Sequence, residues 1–537
     1  MPLVPLKPFK APRRSAAAQV AQAQIIPAPV GGLNTRDPIS AMDVRDAPVL
    51  NNLIPRQQGV ELRKGYQEHS SAVTVAGVAQ SVDSIFVYKA PASANDKVFM
   101  AANGNIYDIT TGGTPSVSAS TTGSAANEWW VTQFTTSADT FLLAVSPGAG
   151  YWTYSASSGW VNRTGTTTGL PTSVRTVAVW KRRVWFTAGD GNVYYIGAVD
   201  AITGAVTAFP MGSTLRNGGY VSAIVNWTTD AGISVDDYMV VIGTEGDVSV
   251  WQGTDPTSSS TFGIVGTWYI GPVPTRGVYF TQFGGDVMIV SELGLVPMSR
   301  VFTGQFSADN QNIGPAAKIQ TTFAPLVRTL RASPYWSVVT VASSEVLLIC
   351  LPVDASGIYR QFAMNMTTGA WCEFSNLPIR NAAVLGGQMY FGLLNGTTAK
   401  GLYGNLDGVS QAGSGGSYPV GDVQCAFNPF GAPALLKKFS MAKPIFYGSL
   451  APAVKATINT QYAYTDVSGF PSFTPSATAG WDSGRWDTAR WTASNTYEAW
   501  LGLTGLGYFG SLRMKMRGLP GTLFLSANML VEPGGGM

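Results

Sequence analysis

At 537 residues the chain is long enough for a large core and more than one domain. Its 34 Lys and Arg against 31 Asp and Glu leave a net charge of +3, which argues against a dedicated nucleic-acid binder but allows a wall that DNA merely passes. Charged residues make up 12%, about half the usual share, so little keeps copies apart and burial in an assembly is expected.

Residues 1–30 read as an extended, basic, Pro-rich arm. Prolines at 2, 5, 8 and 12 oppose a helix. Ser15 to Gln24 has the composition of a short helix, too short to hold alone. Lys7, Lys10, Arg13 and Arg14 make the arm a candidate for docking on a neighbour. No apolar stretch follows that would make a signal peptide, so the chain is expected to act without secretion. No run approaches 18 apolar residues, so no membrane-spanning segment is expected. Residues 31–72 are turn-rich and polar and end in one strand.

From 73 to 409 one pattern recurs seven times: two β-branched or aromatic runs flank a tight Gly, Asn or Asp turn. The runs begin at Val98, Phe141, Val184, Met239, Val287, Val346 and Met389. Their starts lie roughly 42 to 60 residues apart, near the period of a four-stranded propeller blade. A single hairpin of this kind cannot bury its apolar face, so the copies must stack on one another. The fold class expected is all-β: a β-propeller of about seven blades, an extended N-terminal arm, and a smaller C-terminal β-sandwich-like domain at 423–537. A Gly/Ser linker at 410–422 marks the expected boundary.

Signals for chemistry are sparse, and the chain does not read as an enzyme. Its one histidine, His69, sits beside Glu68 in a polar stretch and reads as a surface residue. Cys350, Cys372 and Cys425 are odd in number and widely spaced, which fits neither a disulfide framework nor a zinc site; they read as buried small hydrophobes. No phosphate-binding Gly-Lys-Ser/Thr loop is present. No metal or cofactor is therefore expected. Glycoside hydrolysis would need two carboxylates about 5 to 10 Å apart across a cleft. The acidic residues mostly sit where turns favour them, as in Asp190-Gly191, Glu245-Gly246-Asp247 and Asp407-Gly408.

Tryptophans 481, 486 and 491 recur every five residues, which fits neither a plain strand nor a helix face. Trp481, Trp486 and Trp491 read as aromatic anchors in a loop that packs on its own domain or at a subunit interface, with carbohydrate stacking as the weaker alternative. Lys181-Arg182-Arg183 forms one basic cluster at a hairpin start. Residues 512–517 alternate apolar and basic, so a strand there puts Arg513, Lys515 and Arg517 on one face. That face is either solvated or turned toward a polyanion such as DNA.

Several stretches resemble one family. Gly31-Gly32-Leu33-Asn34, then Asp46-Ala47-Pro48, then Arg63-Lys64-Gly65-Tyr66 are similar to the start of tail proteins from short-tailed bacteriophages. Phe430-Gly431-Ala432-Pro433 through Lys443-Pro444, the Trp481–Trp491 run and the closing 505–518 stretch follow in the family's order. The resemblance covers most of the chain after residue 30; the basic arm lies outside it. It implies a tail nozzle or tubular protein, a propeller subunit of a hexameric ring below the portal and adaptor ring. Such a ring extends the DNA channel, helps retain packaged genome and carries tail fibres or spikes. Double-stranded DNA would pass without sequence readout, and the protein would reside in the virion tail after assembly in the host cytoplasm. The alternative is a receptor-binding or glycan-active propeller at a tail tip.

Overall fold

The computed structural model describes residues 21–121, 128–230, 235–306, 314–475 and 495–533. Within these the chain is all-β apart from short helices, and its centre is a β-propeller. All seven hairpins read from the sequence are present, each as the second and third strands of a sheet. The first, Lys97–Ala102 to Asn105–Asp108, turns through Asn103 and Gly104, with φ of 47° and 73°. Two consecutive left-handed residues match the twist of the flanking strands, which is why Asn-Gly marks such turns.

The sheets follow one another in chain order, and their first strands lie side by side around the axis. These inner strands are Ser84–Tyr88, Trp130–Thr135, Thr176–Trp180, Val221–Asp230, Phe280–Phe283, Ser337–Val341 and Asn381–Leu385. Six of the sheets reach the four strands of a full blade. The one that opens at Phe280 stops at three, Phe280–Phe283, Asp286–Ser291 and Gly294–Pro297. Helices Met298–Phe302 and Gln320–Leu330 pack beside it instead, the second burying Phe323, Val327 and Leu330 along one stripe. The expectation of about seven blades is therefore corrected to six complete ones and one short. The last blade is closed by Tyr66–Ser70 from the N-terminal region, antiparallel to Thr398–Gly401.

The expected partition at 410–422 is not a break. Val420–Gln424, Gly510–Arg517 and Ala453–Thr460 continue the blade that opens at Ser337, joined to it through Val49–Asn51, as one eight-stranded sheet. A second sheet pairs Lys437–Gly448 with Leu523–Pro533 and takes in Gln22–Pro27, Leu53–Pro55 and Val60–Leu62. Leu512, Met514 and Met516 on one sheet and Phe439, Phe524 and Met529 on the other belong to one buried cluster, which runs on into the propeller. Residues 31–72 are thus more than a turn-rich lead ending in one strand; they supply strands to both C-terminal sheets and to a blade. The end of the expected arm is a strand as well, since Gln22–Pro27 pairs with Leu523–Pro533.

Candidate functional site

The stretches that carried the family resemblance turn out to be anchoring devices. Gly31 lies against Asp46, and a Cβ there would meet Asp46 Oδ1 at 2.0 Å. Asp46 is buried, receives Asn34 Nδ2 at 2.7 Å and pairs with Lys318 Nζ at 2.6 Å. Gly32, at φ +85°, runs against the Trp371 backbone, where a Cβ would sit 2.7 Å away. Further along, the fully buried Arg63 donates to Asn52, to the Lys64 and Ser375 carbonyls, and twice to Asp407. Asp407, read as a turn residue, is instead the buried partner of this arginine. Burial holds its carboxyl above the ordinary range, with the Arg63 charge opposing but not cancelling that rise.

The basic strand at 510–517 is present, and its alternation holds, with Leu512, Met514 and Met516 fully buried. The opposite face is neither solvated nor open to a polyanion in the single chain. Arg513 is 8% and Lys515 7% exposed. Arg513 pairs with Asp422 at 2.7 Å and Asp466 at 3.3 Å, and Lys515 with Asp466 at 2.6 Å. Arg517 sits at the edge, 6.0 Å from the Phe470 ring centroid. The expected DNA-facing surface is therefore corrected at Arg513 and Lys515, which carboxylates from a neighbouring strand and a distant loop cover and neutralise; Arg517, half-buried, has no ion pair among the described residues. Lys181, Arg182 and Arg183 are likewise paired, with Asp237, Asp200 and Asp255. Trp481, Trp486 and Trp491, and the arm residues Lys7, Lys10, Arg13 and Arg14, lie outside the described residues.

His69 is buried rather than on the surface. Its Nε2 lies 2.7 Å from the Ile109 carbonyl. A carbonyl only accepts, so Nε2 carries the proton in the neutral ring. Burial holds its pKa below the ordinary value. The three cysteines are buried and free, as expected, and burial pushes the Cys425 thiol up to about 12. Among the described residues no group of three or more His, Cys, Asp or Glu is placed to hold a metal ion. No helix among them is long and apolar enough to cross a membrane.

The most developed constellation lies at one end of the propeller axis. The residue just before each inner strand falls there: Asp83, Trp129, Arg175, Tyr220, Tyr279, Trp336 and Arg380. Several inner strands open on a hydroxyl that ties one blade to the next. Ser84 Oγ accepts from the Trp129 amide at 2.8 Å, Ser222 Oγ from the Tyr279 hydroxyl at 2.8 Å, and Ser337 Oγ from the Ala382 amide at 3.1 Å. Three arginines and two carboxylates gather among these aromatics. Glu128 receives Arg276 Nε at 2.8 Å and the Tyr335 amide at 3.1 Å. Asp83 receives the Tyr335 hydroxyl and Arg380 Nη2, both at 3.2 Å.

Tyr335 carries the strain of this end. Its φ is 75°, a region costly for a bulky residue. It is fixed from three sides: its amide by Glu128, its hydroxyl by Asp83, and its ring by the Arg380 guanidinium 3.9 Å from the centroid. A cavity of about 290 Å³ opens beside it, lined by Glu128, Trp129, Trp130, Arg175, Tyr220 and Arg276 among others. A second hollow of about 260 Å³ lies on the Arg380 side of Tyr335. Sequence reading missed this end because the residues before the inner strands share a position in each repeat but no single residue type.

No family model matches the chain, and no curated protein matches it. Among solved structures it is similar to the computationally designed Ika8 protein, at 12% identity and a TM-score of 0.33, over 62% of this chain and 99% of that one. It is also similar to the WD40 β-propeller domain of Doa1, at 11% identity and a TM-score of 0.34, over 63% of this chain and 96% of that one. At these values neither neighbour bears on function.

Proposed function

We propose that the chain is a structural virion protein, a subunit of a hexameric tail nozzle or tube in a short-tailed bacteriophage. The observation that carries the reading is what the resemblance motifs do. Gly31, Asn34 and Asp46, and then Arg63 and Gly65, knit residues 22–70 into two C-terminal sheets and two blades. Such a chain has its distant parts tied together by buried polar links, which suits a part that bears load rather than one that turns over substrate. The mechanism is geometric and needs no catalysis. Subunits seated on an adaptor ring wall a passage for double-stranded DNA, touching backbone rather than bases. A wall of low net charge lets DNA slide, whereas a strongly basic one would hold it. Fibres or spikes attach outside.

Native mass spectrometry of the purified chain, alone and with tail-adaptor rings, tests this reading. Six copies in a ring, free or formed on the adaptor, are expected. A monomer that ignores the adaptor would overturn it. The strained, aromatic end of the propeller favours a second reading, a ligand-binding propeller displayed at a tail tip. Binding to host surface material by a protein that stays monomeric would favour that reading.

A further inference from the structure

We propose that the cavity at the propeller end binds a small carboxylate carried on a flat, apolar ring, with Arg175 meeting the carboxylate. Arg175 differs from the other arginines of this end. Arg276 is neutralised by Glu128 and Arg380 by Asp83, whereas Arg175 has no ion pair among the described residues. It is nevertheless held in place. Its Nη1 donates to the Tyr220 hydroxyl at 3.0 Å, and its guanidinium lies 5.2 Å from the Tyr220 ring centroid. Gly189 leaves room for it: a Cβ there would meet Arg175 Nε at 2.6 Å, and φ is +76°. A guanidinium has five N–H donors in a planar fork, and one is used here. The fork is thus oriented before a ligand arrives, which lowers the ordering cost of binding.

The rest of the lining selects the body of the ligand. Trp129 and Trp130 offer aromatic surface. The lining hydroxyls are already engaged: Thr176 with Thr187 at 2.7 Å, Ser222 with Tyr279 at 2.8 Å, and Thr275 with the Arg331 carbonyl at 3.3 Å. A polyhydroxylated sugar would compete for the free donors of Arg175 and Trp129 Nε1 and for whatever capacity these hydroxyls keep, and would lose water at its remaining hydroxyls. A flat apolar ring needs no such partners. The cavity of about 290 Å³ is at the low end of ligand pockets, which suits one or two rings. This inference does not depend on a place in a virion.

Calorimetric titration of the full-length protein with benzoate, benzamide and glucuronate tests it. Benzoate is expected to saturate one site, with benzamide and glucuronate each at least about tenfold weaker. Arg175→Gln should weaken benzoate about tenfold, and Arg175→Lys should not restore it, because an ammonium lacks the planar fork. Benzamide binding as well as benzoate would overturn the role of charge. Glucuronate matching benzoate would overturn the apolar ring, and absence of saturable benzoate binding would overturn the site. The ligand comparisons use the unaltered protein, so they stand even where a variant folds poorly.

Discussion

Arg63 and Asp407, 344 residues apart in sequence, meet through two parallel hydrogen bonds of 2.7 and 2.8 Å, with the arginine side chain fully buried. The pair joins the Arg-Lys-Gly-Tyr stretch to the end of the last blade. Removing one partner strands a buried charge, which costs more than the pair itself contributes. Arg63→Ala is expected to destabilise the protein by about 3–5 kcal/mol. The double variant Arg63→Met with Asp407→Leu should recover part of that loss, the remainder being the donors that Asn52 and the Lys64 and Ser375 carbonyls still lack. Urea unfolding of the three proteins checks this, and equal losses in the single and double variants would contradict it.

Gly65 allows the close approach next to that arginine. A Cβ there would meet the Leu406 carbonyl oxygen at 2.1 Å, and backbone cannot swing aside as a side chain can. Gly65→Ala should cost about 1–3 kcal/mol through forced displacement of two paired segments. Gly104, in the first hairpin turn, has open space around its Cβ position but a φ of +73°. Gly104→Ala should therefore cost only the backbone term, about 1–2 kcal/mol. Thermal unfolding of both variants should place Gly65→Ala lower, with its heat signature altered at the last blade.

His69 is the chain's only histidine, so its titration can be seen alone. Burial lowers its folded pKa below the ordinary 6.5, with Lys400 adding a smaller push the same way. The unfolded chain therefore takes up a proton first as pH falls. The stability from neutral His69 is complete above 6.5 and is lost as pH drops below that value toward the folded pKa. The slope in that window is at most about 1.4 kcal/mol per pH unit. His69→Gln keeps a donor for the Ile109 carbonyl and should flatten the slope between pH 5 and 7. Denaturant midpoints across that range check it; unchanged slopes would sink the assignment.

How far the sequence reveals this molecule depends on the range of each interaction. The hairpins were legible because their connections are local, from two residues at Asn103-Gly104 to ten between Val346–Cys350 and Gln361–Asn365, and the alternating runs fix the faces. The added strands were not. Asn51 sits parallel to Glu373, and Tyr66–Ser70 pairs with Thr398–Gly401, through contacts more than three hundred residues apart that no local pattern announces. His69 read as a surface residue because its neighbours are polar, yet it is enclosed by Tyr390 from another strand and Gly112 from a turn. The constellation around Tyr335 was hidden for another reason. Some of its members, such as Asp83, Arg175 and Tyr220, recur at one place in each blade but have nothing else in common, while Glu128, Arg276 and Tyr335 lie further upstream of their inner strands. The signal was positional, one residue before each inner strand.

The alternation at 512–517 was legible, and what covers it was not. Asp422 and Asp466, which meet Arg513, lie 91 and 47 residues from it in sequence. The two carboxylates differ in setting. Asp422 is 16% exposed at its side chain and Asp466 60%. Burial raises the Asp422 carboxyl, opposed by Arg513 and then Lys515, whereas the hydrogen bond from Lys515 lowers Asp466. Asp422→Ala should cost about 3 kcal/mol or more, because it leaves Arg513 buried without its closest partner. Asp466→Ala should cost less, about 1–3 kcal/mol, since water screens that carboxylate while Lys515, 7% exposed, loses its only ion pair among the described residues. Raising salt to 1 M should shrink the smaller effect and leave the larger one, because buried pairs are screened much less. A similar loss from both substitutions would mean that the loop carrying Asp466 seals the sheet as firmly as the neighbouring strand does. That result would return Asp466, Lys515 and Arg513 to consideration as one closed unit.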